Sequence, residues 1–79
     1  MKRIEIYDSA FREIFMIDPD MELTDKNILN VEAWHSLEHF AFVAELEERF
    51  AIKLSDEDII KLTSYEAGLE ILRQYGIEI

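Results

Sequence analysis

The chain has 79 residues, two glycines, one proline and no cysteine, and its 18 acidic and eight basic side chains leave a net charge of −10. That length allows one domain with a small core and excludes a self-contained enzyme that must also enclose a substrate pocket; the missing cysteines exclude disulfides and thiolate metal sites. So negative a surface repels phosphate backbones and anionic lipid, which speaks against nucleic acid and membranes and for a basic protein partner. A hydrophobic share of 49% is too high for a disordered tail. No apolar run approaches the ~18 residues of a membrane span, and no signal-peptide core opens the chain, so a soluble cytoplasmic domain is expected.

Over residues 4–16 the side chains Ile4, Tyr7, Phe11, Ile14 and Phe15 recur at spacings of three, four, three and one, which predicts a first helix. It is expected to stop near Ile17, because Pro19 disfavours helix at the residue before it, and Asp18-Pro19-Asp20 reads as a turn. Residues 21–35 have no regular period and predict a long loop, with one turn of helix around residues 25–29 as an option. Its apolar residues Met21, Leu23, Ile28, Leu29, Val31, Ala33 and Trp34 are expected to pin the loop across the helices. Trp34 reads as a buried anchor in preference to an exposed partner contact.

Ser36 opens a second helical run and is expected to be its N-cap. Leu37, Phe40, Val43, Leu46 and Phe50 follow at spacings of three, three, three and four, widened by Ala41, Phe42 and Ala44. The opposite face is assigned Glu38, Glu45, Glu47, Glu48 and Arg49, four acids and one base, so this helix carries −3. Ser55 and the acids Asp56, Glu57 and Asp58 predict a short third helix to about Lys61, its first turn favoured by the helix dipole. Ile59, Ile60 and Leu62 are expected to turn inward. Thr63 or Ser64 caps the last helix, with a capping-box partner three residues on. Ala67, Leu69, Ile71, Leu72 and Tyr75 continue it, and Gly76 suits a left-handed stop. The expected architecture is all-α: a single-domain four-helix bundle over residues 1–79, with three longer helices, one short helix and a long loop after the first. Phe40, Phe42, Val43, Leu46, Ile59, Leu62 and Ile71 are expected in its core.

The stretch His35-Ser36-Leu37-Glu38-His39 stands out at the junction of loop and acidic helix. It matches H-x-x-E-H, a zinc-peptidase signature. A peptidase needs a third ligand, a cleft and a much larger body, so the histidines are read as solvated residues flanking a cap and no metal site is expected. A serine here can simply cap its helix, a role worth ~1 kcal/mol.

Four segments together point further: Trp34-His35-Ser36-Leu37-Glu38-His39, then Ala44-Glu45-Leu46-Glu47-Glu48-Arg49-Phe50, Ile52-Lys53-Leu54-Ser55-Asp56-Glu57-Asp58 and Leu62-Thr63-Ser64-Tyr65. In this order and spacing they resemble the acyl carrier protein family over nearly the whole chain. The resemblance implies a carrier, not an enzyme. A phosphopantetheinyl transferase would attach 4′-phosphopantetheine from coenzyme A to the hydroxyl of Ser36, and the terminal thiol of that arm would hold an acyl group as a thioester. A monomer would deliver this cargo to separate acyl-transferring or acyl-modifying enzymes. The resemblance also implies that the acidic helix faces basic patches on those partners, with Glu38, Glu45, Glu47 and Glu48 steering association in a salt-dependent way. Phe11, Phe15 and Phe40 would fill interior space in which such carriers house an acyl chain, so a short or polar cargo fits as well as a long one. One position departs from the family pattern: its aspartate before the serine is His35 here. A histidine cannot hold a hard cation as a carboxylate does. Two alternatives therefore stay open: a carrier-fold interaction module with Ser36 unmodified, and an aminoacyl or peptidyl carrier.

Overall fold

The computed structural model describes residues 2–79. Four helices follow one another: α1 (Arg3–Phe15), α2 (Ser36–Phe50), α3 (Asp56–Lys61) and α4 (Tyr65–Gln74). The chain is all-α, and among the described residues the sole β-type pairing is one isolated antiparallel bridge between Asn27 and Ser64. No helix is long and apolar enough to cross a membrane.

The face predicted for α1 is the one it buries: Tyr7, Phe11 and Phe15 lie in the core, with Ile4 and Ile14 packed at its margin. The helix stops earlier than Pro19 requires. Met16 takes the left-handed conformation at φ 54°, and the Ile17 N–H donates to the Arg12 carbonyl at 3.0 Å, so the chain has already turned before the proline. The loop that follows has no helical turn at residues 25–29. Residues 26–28 instead run against residues 63–65: the Ile28 N–H donates to the Thr63 carbonyl at 2.9 Å, and the Tyr65 N–H to the Lys26 carbonyl at 3.0 Å. Two asparagines shape the turn. Asn27 Oδ1 accepts from the N–H groups of Leu29 and Asn30, and Asn30 Oδ1 accepts from the Asn27 N–H at 2.8 Å. Leu23, Val31 and Trp34 do pin the loop, whereas Met21, Ile28 and Leu29 are exposed.

The core is an interlocked set of rings. Phe11 meets Phe42 and Tyr65 edge-on, each with centroids 5.4 Å apart, and Phe15 stacks on Trp34 at 4.2 Å. Such contacts add about 0.5–1.5 kcal/mol per pair beyond the area they bury. The polar atoms among them are paired: Tyr7 donates its hydroxyl to the Tyr65 carbonyl at 2.7 Å, and the Tyr65 hydroxyl donates to Asp8. Gly68 makes the first of these contacts feasible. A Cβ there would overlap the Tyr7 hydroxyl oxygen and press on Leu62 Cδ1, so a helix-weakening residue stands where the Tyr7 side chain of α1 reaches α4. Ser64 caps α4, its Oγ accepting from the Ala67 N–H at 2.9 Å. The expected capping box does not form around it, because the residue three positions on is Ala67, which has no side-chain acceptor. Gly76 closes α4 at φ +85°, with the Ile77 N–H reaching the Leu72 carbonyl at 3.0 Å.

Three expectations about the core are corrected. Phe40 is 61% exposed and Ile60 is 76% exposed, and Ile59 is only half-buried; Leu37, placed on the same apolar stripe as Phe40, is 78% exposed. The reason is angular. Phe40 and Phe42 lie two residues apart, about 200° around a helix, so both cannot face the core. Phe42, Val43 and Leu46 take the buried side, and Leu37 and Phe40 are turned to the outer surface.

Candidate functional site

The start of α2 differs by one residue from expectation. His35 is the N-cap, at φ −110° and ψ 176°, and its carbonyl accepts the first helical bond from the His39 N–H at 2.8 Å. Ser36 is thus the first helical residue and does not cap the helix; its side chain is exposed. The N–H groups of the first turn have no intrahelical acceptor, and the helix dipole places positive partial charge here.

Beside Ser36 lies an open groove of about 460 Å³ bounded by Ile28 and Trp34 from the loop, His39 and Phe40 from α2, and Ile60 and Thr63 from α3 and its exit. Its floor is held by a chain of hydrogen bonds. Trp34 Nε1–H donates to His39 Nδ1 at 3.0 Å, and His39 Nε2 lies 2.8 Å from the Ile59 carbonyl oxygen. Both ring nitrogens of His39 are therefore engaged, so the H-x-x-E-H motif does not present two free imidazoles. Trp34 is 4% exposed, the anchor expected of it. The exposed Phe40 and Ile60 line this groove, Leu37 is exposed next to Ser36 in the chain, and the loop turn carries Ile28 and, at 94% exposure, Leu29. A second groove, of about 550 Å³, opens between the end of α1 and the loop, with Met16, Met21, His35 and Glu38 in its walls.

The four acids of α2 have different surroundings. Glu45 accepts from Arg49 Nε at 2.7 Å, and Arg49 also donates to Glu13 of α1 at 2.9 Å, so this trio straps α1 to α2. The bond from Glu45 raises the pKa of Arg49 above its ordinary value. Glu47 accepts from the Leu54 N–H at 2.9 Å and holds the chain that leaves α2. Glu38 is half-buried in the wall of the second groove, and Glu48 is exposed. The outward side of the helix near Ser36 carries the apolar Leu37 and Phe40, and the exposed Glu48 lies more than three turns further along.

Sequence reasoning missed the apolar rim and the His39 link. The signal for the rim was present: Leu37, Phe40, Ala41, Phe42, Val43, Ala44, Leu46 and Phe50 are more apolar positions than one stripe of a helix can hold. Nothing in the sequence pairs Trp34 with His39 or His39 with Ile59, because these bonds depend on how loop and α3 pack. No family model matches the chain, and no curated protein or solved structure matches it significantly.

Proposed function

We propose that the chain is an acyl carrier protein built as a four-helix bundle, with Ser36 as the attachment site of 4′-phosphopantetheine. The observation that carries this reading is the position of Ser36. It is exposed at the first position of a 15-residue helix whose cap is another residue. Serine is a poorer helix former than alanine, so neither capping nor helix propensity accounts for it there. The surroundings suit the cofactor. A phosphodiester on Ser36 Oγ would lie at the unpaired amides of the first turn, where anions are favoured, and an apolar groove runs alongside for the arm. Attachment forms an ester bond from Ser36 Oγ to the β-phosphorus of coenzyme A. The pyrophosphate bond breaks, adenosine 3′,5′-bisphosphate leaves, and the serine proton passes to a base on the transferase. Once attached, the arm supplies a thiol that holds an acyl group as a thioester.

The same surface suits an enzyme partner with an apolar centre and a basic rim. Leu37, Phe40 and Ile60 supply the apolar contact, the first turn of α3 supplies negative charge, and Glu48 adds to it towards the far end of α2. The interior offers little room for cargo, since Phe11, Phe15, Trp34 and Phe42 already interlock there. A cargo on this carrier lies along the outside of the helices.

Intact-mass measurement after incubation with coenzyme A and a broad-specificity transferase tests the proposal. One phosphopantetheine should add to the wild type and none to Ser36→Ala. Addition at another serine, or none with any of several transferases, overturns it. Glu48→Lys changes the net charge by +2, from −10 to −8. It should slow the transfer at low salt, while Glu66→Lys on α4 should not; equal slowing by both would reduce the effect to net charge.

His35 favours a second reading, an interaction module with Ser36 unmodified, because an imidazole stands where the family has a metal-holding carboxylate. His35→Asp separates the two: faster modification of this variant marks His35 as the brake on a carrier site. Which acyl or aminoacyl group partner enzymes load then decides between carrier types.

A further inference from the structure

The bonds among Trp34, His39 and Ile59 tie together the loop, α2 and α3; the loop is joined again just past α3, where the Ile28 N–H donates to the Thr63 carbonyl. An indole N–H can only donate, so His39 Nδ1 bears a lone pair and the ring proton sits on Nε2, donating to the Ile59 carbonyl. That carbonyl is among the last of α3, which have no partner within their own helix. The two ends of the link differ in freedom. Trp34 is buried, stacked on Phe15 and edge-on to Phe11 with centroids 5.7 Å apart. α3 has no fully buried residue; Ile59 packs half-buried against the core, and the buried Leu54 and Leu62 anchor the chain on either side of it. Its other polar ties lie at its first turn, where Tyr75 accepts from the Ser55 N–H at 3.0 Å and donates to Asp58 at 2.8 Å.

We propose that Trp34, His39 and Ile59 form a latch that closes α3 against α2 at the groove beside Ser36, and that a second proton on His39 opens it. A doubly protonated ring would point an N–H at the Trp34 N–H, and two donors cannot share one bond. The ring must then leave Trp34. It keeps its bond to Ile59, which a positive charge at a helix C-terminus strengthens, so α3 is displaced with it about its anchors at Leu54 and Leu62. The neutral groups Ile28, Phe40, Ile60 and Thr63 line the groove around the ring, and His35 is the other titratable group there. On α3, Asp58 is engaged by Tyr75, and Lys61 is paired with Glu57 at 2.9 Å. Glu38 lies on the same turn of α2 but in the wall of the second groove. The latch stands without the carrier reading; that reading adds only its use, as a lid over whatever Ser36 bears.

Hydrogen exchange of the purified chain tests this, in a His35→Gln background that leaves His39 as the one histidine. Rates are compared at about pH 8 and about pH 5.5, after correction for the intrinsic pH dependence of exchange. In acid, the Trp34 indole N–H and the amides of residues 59–62 should exchange roughly five- to tenfold faster, as expected for the loss of one hydrogen bond. The amides of α1 should keep their rates. With His39→Gln, or with His39→Asn if the first variant does not fold, the pH difference should vanish. The proposal is overturned if the wild-type latch residues show no pH difference, if the His39 variant retains it, or if α1 accelerates equally, since global loosening is not a latch. None of these readings involves Ser36 modification, so they stand whether or not a phosphopantetheine is ever added.

Discussion

The side of the molecule where α1 meets α4 and the side where α2 meets α3 are built from similar residues and used differently. On the first, Tyr7, Phe11, Phe15 and Tyr65 interlock, their hydroxyls are paired, and a glycine lets the Tyr7 side chain of α1 reach α4. On the second, Leu37, Phe40 and Ile60 are turned outward and α3 is held by its flanking leucines, the half-buried Ile59 and a few hydrogen bonds. On the carrier reading proposed above, these three exposed residues beside Ser36 are where partners would be met, which would place stability in the first region and recognition in the second.

The largest expected contrast is between two phenylalanines. Phe11→Ala should cost about 3–5 kcal/mol in denaturant unfolding, the range for deleting a buried ring. Phe40→Ala should change stability by no more than about 0.5 kcal/mol, as surface substitutions do, yet slow the modification of Ser36. Equal destabilisation by both variants would erase the distinction between the regions. Next is the close approach at Gly68. Gly68→Ala forces Tyr7 to shift and should cost roughly 1–3 kcal/mol, the range for overpacking. The obstacle is chiefly the hydroxyl oxygen, so Tyr7→Phe combined with Gly68→Ala should cost less than the two single variants summed, a coupling read directly from a double-mutant cycle.

The same tyrosine gives the α1–α4 side a pH signature. Burial, and then the neighbouring Tyr65, Asp8 and Glu66, push the Tyr7 phenol well above its usual value. A folded-state value above the unfolded one means that the stabilisation is complete below the unfolded pKa, about 10, and is lost as pH rises past it. Stability should therefore fall above about pH 10, and Tyr7→Phe should flatten that fall. An unchanged alkaline limb in the variant would show that other groups govern it. The smallest effects lie at the helix ends. Ala51 closes α2 in the left-handed region at φ 54°, so Ala51→Gly should stabilise by up to about 1 kcal/mol. Gly76→Ala should destabilise by about as much, and by backbone strain alone, because nothing lies within 4 Å of the added Cβ. Thermal melts resolve both.

Elements of the fold follow from local chemistry and were legible in order. Periodicity located the first two helices, cap signals and first-turn acids the third, and a cap with a following apolar pattern the last; Ser55 and Ser64 cap the short and last helices through bonds to nearby N–H groups, and Gly76 stops the last turn. These features depend on residues three or four apart, which is the range over which a sequence is explicit. The position of Ser36 was legible too, as the polar residue where loop pattern becomes helix pattern. What the apolar residues of α2 face was not. Phe40 and Phe42 are equally hydrophobic, and only the angle at which α1 lies against α2 decides that Phe42 enters the core while Phe40 remains outside. The same holds for His39. Its neighbours in the chain make it a solvated histidine, and only the packing of Trp34 beneath it and α3 beside it places a donor at one ring nitrogen and an acceptor at the other. Interactions that span 20 residues or more, like those joining Tyr7 to Tyr65 and His39 to Ile59, arise when the chain closes on itself, and local propensity carries no record of them.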